Sequence, residues 1–531
     1  MIKNPFRQMA IRRFPSFHHE HPSFRWWVLG NVMLSTFMAV LMSTIVNGAL
    51  PSMMNSIGVG LDTMQWVLTG YLLVFTVMLP LSAWLAERFG YKLTFLIALA
   101  LFTGGSFLCF ASWDFSSLLL ARIVQGAGGG IVTPLGMALV TREFPPHQRG
   151  LAMGLWSIAG GASSSFGPSI GGWLVDNFGW RATFLVNLPI GLLAIFATLV
   201  IQREFMHPDK KPFDFLGFTL VTTFLVALLL ALTDGNASWN TGGWSAPFIL
   251  ILIAVAVLSL ASFIAVELRV AMPLVDLRLL SSVPFTLSNA VMFFLFLSLM
   301  GTTFILPLYL QNILGYSALL SGLVFLPTGI MMALFSPISG MLINRWGPKA
   351  PVLAGFLILA VSLYINTFLD SDPAPWLIYL PLFLRGIGFG LIMTPLSVMT
   401  MSHLSPHQLA QGSSLINLIR QIGGSFGVAI FGMVLSQRNL FHQSVFGEGV
   451  DIHGEMFDTT AATLAHVLVR DGIPTTQAST LSGMLIAQTV AKNAYIQAMC
   501  DVFFIVAVLS LVCLIPMSLI RGGKPKTRKA A

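Results

Sequence analysis

Three arginines, Arg122, Arg385 and Arg420, stand inside stretches that are otherwise almost wholly apolar. A guanidinium cannot be deprotonated in a protein, so it can hold an anion, fix backbone carbonyls or bias a neighbouring proton carrier. It cannot itself release a proton. For each arginine a plainer role stays open: a structural bond to carbonyls, or a stem that lets the charge reach a polar boundary. Arg420, one turn before Gly423-Gly424, fits either role equally. Against these three cations the interiors of the apolar stretches hold one carboxylate, Asp501, in the first turn or two of the last of them.

A second set of residues occurs twice. Residues 83–92 read Ala-Trp-Leu-Ala-Glu-Arg-Phe-Gly-Tyr-Lys and residues 340–349 read Gly-Met-Leu-Ile-Asn-Arg-Trp-Gly-Pro-Lys. Arg88, Gly90 and Lys92 match Arg345, Gly347 and Lys349, with Glu87 and Asn344 at the corresponding acidic or polar position. Each copy needs a tight turn between two helices, and its glycine supplies the backbone freedom. Glu87 is placed to meet a basic residue or a helix N-terminus. A bare topology signal is the competing reading. The third set is the run from Gly160-Gly161 to Gly167-Pro168-Ser169-Ile170-Gly171-Gly172. Small residues let helices approach closely and Pro168 bends the chain. On physics alone, ordinary packing accounts for this run as well as gating does.

Other chemistries find little support. Gly126-Ala127-Gly128-Gly129-Gly130 does not follow a strand, lacks the spacing of a dinucleotide loop, and no Gly-Lys-Ser/Thr occurs. His18, His19, Glu20 and His21 lack a ligand framework and read as tail composition. Cys109, Cys500 and Cys513 lie in or beside apolar runs and imply no disulfide framework. There is no Ser-His-acid set. The sequence therefore predicts no cofactor, no metal and no enzyme. The net charge of +8 is spread in short clusters rather than one patch, which argues against nucleic acid.

The elements that must position these residues follow from composition. The 531 residues are 56% hydrophobic and 9% charged, with mean hydropathy +0.83. Soluble domains carry about 25% charge, so lipid is the plausible solvent. A crossing helix needs about 20 mostly apolar residues. Fourteen segments qualify: 26–50, 64–86, 93–112, 117–140, 151–175, 182–202, 214–233, 246–266, 284–310, 319–343, 350–369, 375–401, 411–436 and 496–520. The first is too long for a signal peptide and lacks a cleavage site. With the N-terminus inside, most of the 28 Lys and Arg fall on the cytoplasmic side, and the short outer loops carry aspartates instead. Both termini are then expected in the cytoplasm. The polar outer segment 437–495 is expected to form a helical hairpin or surface helix.

The repeat extends beyond the hairpins. Arg122-Ile-Val-Gln-Gly with Thr133-Pro134 corresponds to Arg385-Gly-Ile-Gly-Phe-Gly with Thr394-Pro395, and Gly160-Gly161 to Gly423-Gly424. Spans 1–6 thus match spans 9–14, with two inserted between. Together with Thr44-Ile45-Val46-Asn47, Ala49-Leu50-Pro51, Gln65-Trp66-Val67, Arg122 with Gln125-Gly126, and Trp180-Arg181 leading to Asn187-Leu188-Pro189-Ile190-Gly191, these pieces resemble the major facilitator superfamily. Within it the chain looks like the fourteen-helix drug:proton antiporter branch (EmrB/QacA-type). The resemblance covers nearly the whole chain.

The resemblance implies an all-α membrane protein with two six-helix bundles and two inserted helices. The divisions are a cytoplasmic tail 1–25, a first bundle 26–202, a linker with the inserted pair 203–283, a second bundle 284–520 that includes the outer loop 437–495, and a basic tail 521–531. It implies export of small hydrophobic or amphiphilic substrates across the cytoplasmic (inner) membrane, driven by protons. Arg122, Gln125 and Asn47 would serve transport and coupling, with Asp501, Arg385 and Arg420. Glu87, Arg88, Gly90, Lys92, Asn344, Arg345, Gly347 and Lys349 would serve the gate, and Gly160, Gly161, Gly167, Pro168, Gly171 and Gly172 the antiporter helix. In a two-membrane bacterium relatives work with a periplasmic adaptor and an outer-membrane channel, for which 437–495 is the expected docking surface. One departure stands out: many relatives have an acid where this chain has Met42. Its loss predicts a net-positive cavity suited to neutral or anionic amphiphiles, such as weak-acid uncouplers, fatty acids and acidic antibiotics. A substrate-specific carrier for a siderophore or fatty acid is the alternative, and a transport-inactive scaffold or sensor is the alternative of another class.

Overall fold

A computed structural model of the 531-residue chain describes residues 21, 23–205, 212–237, 239–270, 273–402, 404–448 and 455–519. The side chains of Asn47 and Pro168, nearly all of the N-terminal tail and the whole of 521–531 lie outside the described residues. What is described is helical: α1 Phe24–Ile57, α2 Leu61–Phe89, α3 Tyr91–Phe110, α4 Phe115–Glu143, α5 Pro146–Phe178 and α6 Asn187–Ile201 come first. The pair α7 Phe215–Asp234 and α8 Pro247–Glu267 follows. Then come α9 Val283–Asn312, α10 Leu326–Trp346, α11 Lys349–Ile365, α12 Pro375–Ser402, α13 Leu409–Glu448, α14 Glu455–Arg470 and α15 Thr475–Val512, with a last short helix Leu514–Leu519.

Thirteen helices among the described residues are long and apolar enough to cross a membrane. The protein is an all-α, multi-span membrane protein. The expected fifth span lies in α5, which is long enough at 33 residues but is not among the thirteen. Glycine and serine dilute its hydropathy, because this helix meets other helices rather than lipid. Residues with no bulk suit that position.

Packing repeats along the chain. The pairs α1 with α5, α2 with α4 and α3 with α4 recur as α9 with α13, α10 with α12 and α11 with α12. Further pairs join early helices to late ones: α5 packs on α10 and, less extensively, on α12, and α13 packs on α2 and α4. Three apolar cores result. One is built mainly from residues between Phe24 and Ile201, one from residues between Val291 and Met517, and a smaller one joins α7 and α8 to Leu79, Leu415 and Leu418.

Segment 437–495, expected as a helical hairpin or surface helix, is helical over most of its described residues: it takes in the end of α13, all of α14 and the start of α15. α13 runs 40 residues and α15 runs 38, about 60 Å each at 1.5 Å per residue, twice the hydrocarbon thickness. Helical hydrogen bonding does not stop where apolarity stops. Asp501 therefore sits deep in α15, not in the first turns of a helix as the apolar boundary suggested.

Candidate functional site

The hairpin at 87–92 is built by its neighbours. Gly90 has φ +92, and a side chain there would collide with the carboxylate of Glu204. Glu204 accepts the backbone N–H of Lys92 at 3.0 Å and of Leu93 at 3.2 Å, so it caps the start of α3. Lys92 Nζ donates to the carbonyl of Leu199, in the last turn of α6, at 2.7 Å. The second hairpin repeats this arrangement: Gly347 has φ +76, and Lys349 Nζ donates to the carbonyl of Ser518 in the last helical turn at 2.6 Å. Each lysine thus closes its half of the chain onto the carbonyl end of that half's final helix, where a cation is favoured. Arg345 lies exposed beside Trp346.

The same face is closed between early and late helices. Gln411, at the start of α13, donates its side-chain amide to Glu87 Oε1 at 3.3 Å, and Glu87 is buried. Gln411 Oε1 in turn accepts the backbone N–H of Asp276 at 3.4 Å, on the segment leaving α8. Ser414 donates to the carbonyl of Leu79 at 2.5 Å, and Asn344 to that of His147 at 3.1 Å. Where α5 crosses α10, Gly150 and Gly340 lie backbone to backbone, and a methyl group on Gly154 would stand 2.6 Å from the Ser336 carbonyl.

The small-residue run of α5 makes two contacts at once. Gly167 and Gly171 face Thr44 and Ile45 of α1, while Gly161 faces Met332 of α10 and Gly172 faces Leu319. Gly160 looks into open space, so no close approach requires it.

The three arginines have separate surroundings. Arg122, 1% exposed, donates from Nε to the Val67 carbonyl at 3.3 Å and from Nη1 to Gln125 Oε1 at 2.6 Å; Gln125 donates to Ser106 at 2.6 Å. The Tyr71 ring lies 4.2 Å from its guanidinium carbon. Arg122 thus ties α2, α3 and α4 together and does not meet the other two. Arg385, 1% exposed, donates from Nη2 to the Leu299 carbonyl at 3.1 Å and to Thr303 Oγ1 at 2.7 Å, while its Nε and Nη1 have no partner. Arg420, 9% exposed, donates from Nη2 to Ser397 Oγ at 2.6 Å, stands 5.4 Å from the Phe296 ring, and leaves Nε unpartnered. Both lie against the stretch 296–303 of α9. Arg420 also lies beside the junction between early and late helices, where Thr394 reaches Ser157 at 3.4 Å and Asn417 reaches Met137 at 3.8 Å. No carboxylate partners any of the three among the described residues.

Asp501 is not an isolated acid. Its Oδ2 accepts from Arg438 Nε at 2.6 Å and meets His442 Nε2 at 2.7 Å, both on α13. A cavity of about 580 Å³ lined by Asp370, Phe446, Asn493 and Gln497 lies one turn further along the same helices. Met42 is buried and its sulfur receives the side-chain amide of Asn187 at 2.8 Å. The sequence analysis missed Gln411, Glu204 and His442, and it named Asn187 only within a motif, without its bond to Met42. Of these only Glu204, an acid just past the sixth span and facing a basic hairpin, left a readable signal.

Comparisons with known proteins bear on the family and the fold. Residues 32–428 match the family described as Major Facilitator Superfamily. The chain is 31% identical over 496 residues to the fatty acid resistance protein FarB of Neisseria gonorrhoeae, covering 92% of this chain and 95% of that one. It is 30% identical over 480 residues to the multidrug export protein EmrB of Haemophilus influenzae, covering 89% and 91%. Among solved structures it resembles the human organic anion transporter MFSD10 with TM-score 0.59 at 15% identity, covering 93% of this chain and 99% of that one, which bears on fold alone. A chain with three quarters of its length matched in this way, and these relatives, belongs to the Major Facilitator Superfamily and is a membrane transporter of that type.

Proposed function

We propose that this transporter is a proton-driven antiporter of the fourteen-helix drug-export branch, and that it prefers amphiphiles bearing a carboxylate or no charge. The observation that carries the preference is the pair Arg385 and Arg420. Both are buried, both leave N–H groups unpartnered, and neither has a carboxylate partner among the described residues. Unpaired buried charge is costly, and an anionic ligand would relieve it. Met42 removes the acid that would otherwise attract cations. The similarity to a fatty acid resistance protein over nearly the full length supports the same class.

In this reading α1–α6 and α9–α15 form two bundles, α5 supplies the fourteenth span, and α7 and α8 are inserted between them. The packing repeat and the pairs between early and late helices support this reading. Both termini lie in the cytoplasm, and the hairpin face is the inner face. Glu87–Gln411, Leu79–Ser414 and Gly150–Gly340 are then the contacts that part when the cavity opens inward. Asp501 with His442 is the proton-handling pair, held by Arg438 at the outer end. Arg122 acts as a positioning residue for α2 and α4. In a two-membrane host, α14 and the outer halves of α13 and α15 are the surface for an adaptor. The deciding experiment is substrate competition in proteoliposomes. Acidic amphiphiles should compete and quaternary ammonium dyes should not; the reverse order overturns the preference.

A further inference from the structure

Away from the arginines, the inserted helices meet the rest of the molecule at two carboxyl groups. Asp214 caps α7: its Oδ1 accepts the backbone N–H of Gly217 at 2.8 Å. Glu267 ends α8, and its Oε1 accepts the backbone N–H of Val275 at 3.2 Å. The two acids converge. A methyl group on Gly217 would stand 3.0 Å from Glu267 Oε1 and closer still to Asp214 Oδ2. Glu267 is 1% exposed. One oxygen of each carboxyl group is left over, since Asp214 Oδ2 and Glu267 Oε2 are buried without a hydrogen-bond partner.

Among the described residues no basic side chain bonds either carboxyl group. Arg278 turns its guanidinium onto the carbonyls of Leu268 and Val270, at 3.4 and 3.3 Å. Arg269 is exposed. Asp276 adds a further negative charge on the exit segment. From α2 the adjoining end brings Glu87 and Arg88, of which Glu87 receives Gln411, and α13 brings the neutral Gln411 itself. Two ionised carboxylates in one dry site repel, and the usual resolution is that one of them keeps a proton. A protonated carboxyl group is also the donor that both leftover oxygens lack.

We propose that Asp214 and Glu267 share one proton, and that this proton is the fastening of a pH-sensitive latch. The segment it fastens leads straight to the closed face. Val275 N–H binds Glu267, the next residue's N–H binds Gln411, and Gln411 binds Glu87. Loss of the proton sets two negative charges against each other, loosens residues 274–276, and releases Gln411 from one of its two tethers. The latch concerns the free transporter and does not depend on which substrate is carried.

Infrared spectra of the full-length protein in nanodiscs, without substrate, test the sharing. They are recorded from about pH 5 to about pH 9, where isolated carboxyl groups are ionised. In wild-type-minus-variant difference spectra, which cancel other protonated carboxyl groups such as Glu204, a protonated-carboxyl band should be present at the acid end and be lost in both Asp214→Asn and Glu267→Gln. A wild type without the band overturns the proposal. A band that survives Asp214→Asn means that Glu267 holds a proton through burial alone, which also overturns it. Hydrogen exchange tests the latch. Protection of residues 274–276, corrected for the intrinsic rate, should fall as pH rises in the wild type and stay level in the double amide variant. A slope that persists in the double variant removes the latch.

Discussion

Gln411 reaches across from α13 to give its amide to Glu87, 3.3 Å away at the end of α2, and so ties a late helix to an early one. A buried hydrogen bond to a carboxylate contributes about 1.5–3 kcal/mol. Gln411→Leu should therefore shift the equilibrium toward opening at the hairpin face by roughly tenfold or more. The alkylation rate of a cysteine placed at Ser157, in a background lacking Cys109, Cys500 and Cys513, reports this. An unchanged rate would show that the bond does not hold that face closed.

If Arg385 and Arg420 hold an anionic ligand as proposed, they should behave alike and differ from Arg122. Arg420→Ala and Arg385→Ala should each weaken binding of a long-chain carboxylate by about tenfold or more while leaving a neutral analogue within about threefold. Lysine restores charge but not the planar fork, so Arg420→Lys should recover only part of the loss. Binding is read by competition in nanodiscs. Equal losses for charged and neutral ligands would mean the arginines serve structure alone.

Met42 offers the opposite change. Met42→Asp places a carboxylate beside the amide of Asn187, which now rests on sulfur. The variant should gain transport of quaternary ammonium dyes and lose preference for acids, measured as flux in proteoliposomes at one pH. No gain of cation flux would indicate that position 42 does not face the substrate path.

Close backbone approach makes its own demand. Gly154→Val should keep the protein folded but prevent α5 and α10 from meeting, because even a methyl group there stands 2.6 Å from the Ser336 carbonyl. Substrate exchange should fall by roughly tenfold or more, whereas Gly160→Val, facing open space, should leave it nearly unchanged. Counterflow measures both.

Glu204 gives the hairpin a pH dependence of known sign. Partial burial of its carboxylate over Gly90 holds its pKa above the usual value of 4.5, against the opposing pull of the N–H groups of Lys92, Leu93 and Phe205. The folded state therefore binds this proton more tightly than the unfolded chain. The resulting stabilisation is complete below the unfolded pKa and is lost as pH rises through the higher folded one. Thermal midpoints should decline across that interval in the wild type, with a smaller decline in Glu204→Gln.

Much of this was legible in the residues. The apolar segments gave the helices, and Gly90 and Gly347 announced turns that the structure closes with positive φ. Arg122 and Gln125, quoted from a motif, are bonded to each other at 2.6 Å. What stayed hidden has a common physical form. Lys92 and Lys349 end on backbone carbonyls, which every residue possesses and no sequence marks. Gln411 is neutral and stands alone, so neither periodicity nor charge singles it out. Helix was expected in 437–495, but its unbroken continuity with α13 and α15 was hidden, because apolarity reports the solvent around a helix, not where the helix ends.

The lysine fastenings have a consequence for the chain as a covalent object. Because each half is clipped shut upon its own last turn, and Glu204 and Phe205 hold the first hairpin, covalent continuity after Phe205 is not what keeps either half intact. A transporter expressed as two fragments, severed at that point, should reassemble in the bilayer, and its halves could be inherited, swapped or fused in new pairings without either one learning to fold again.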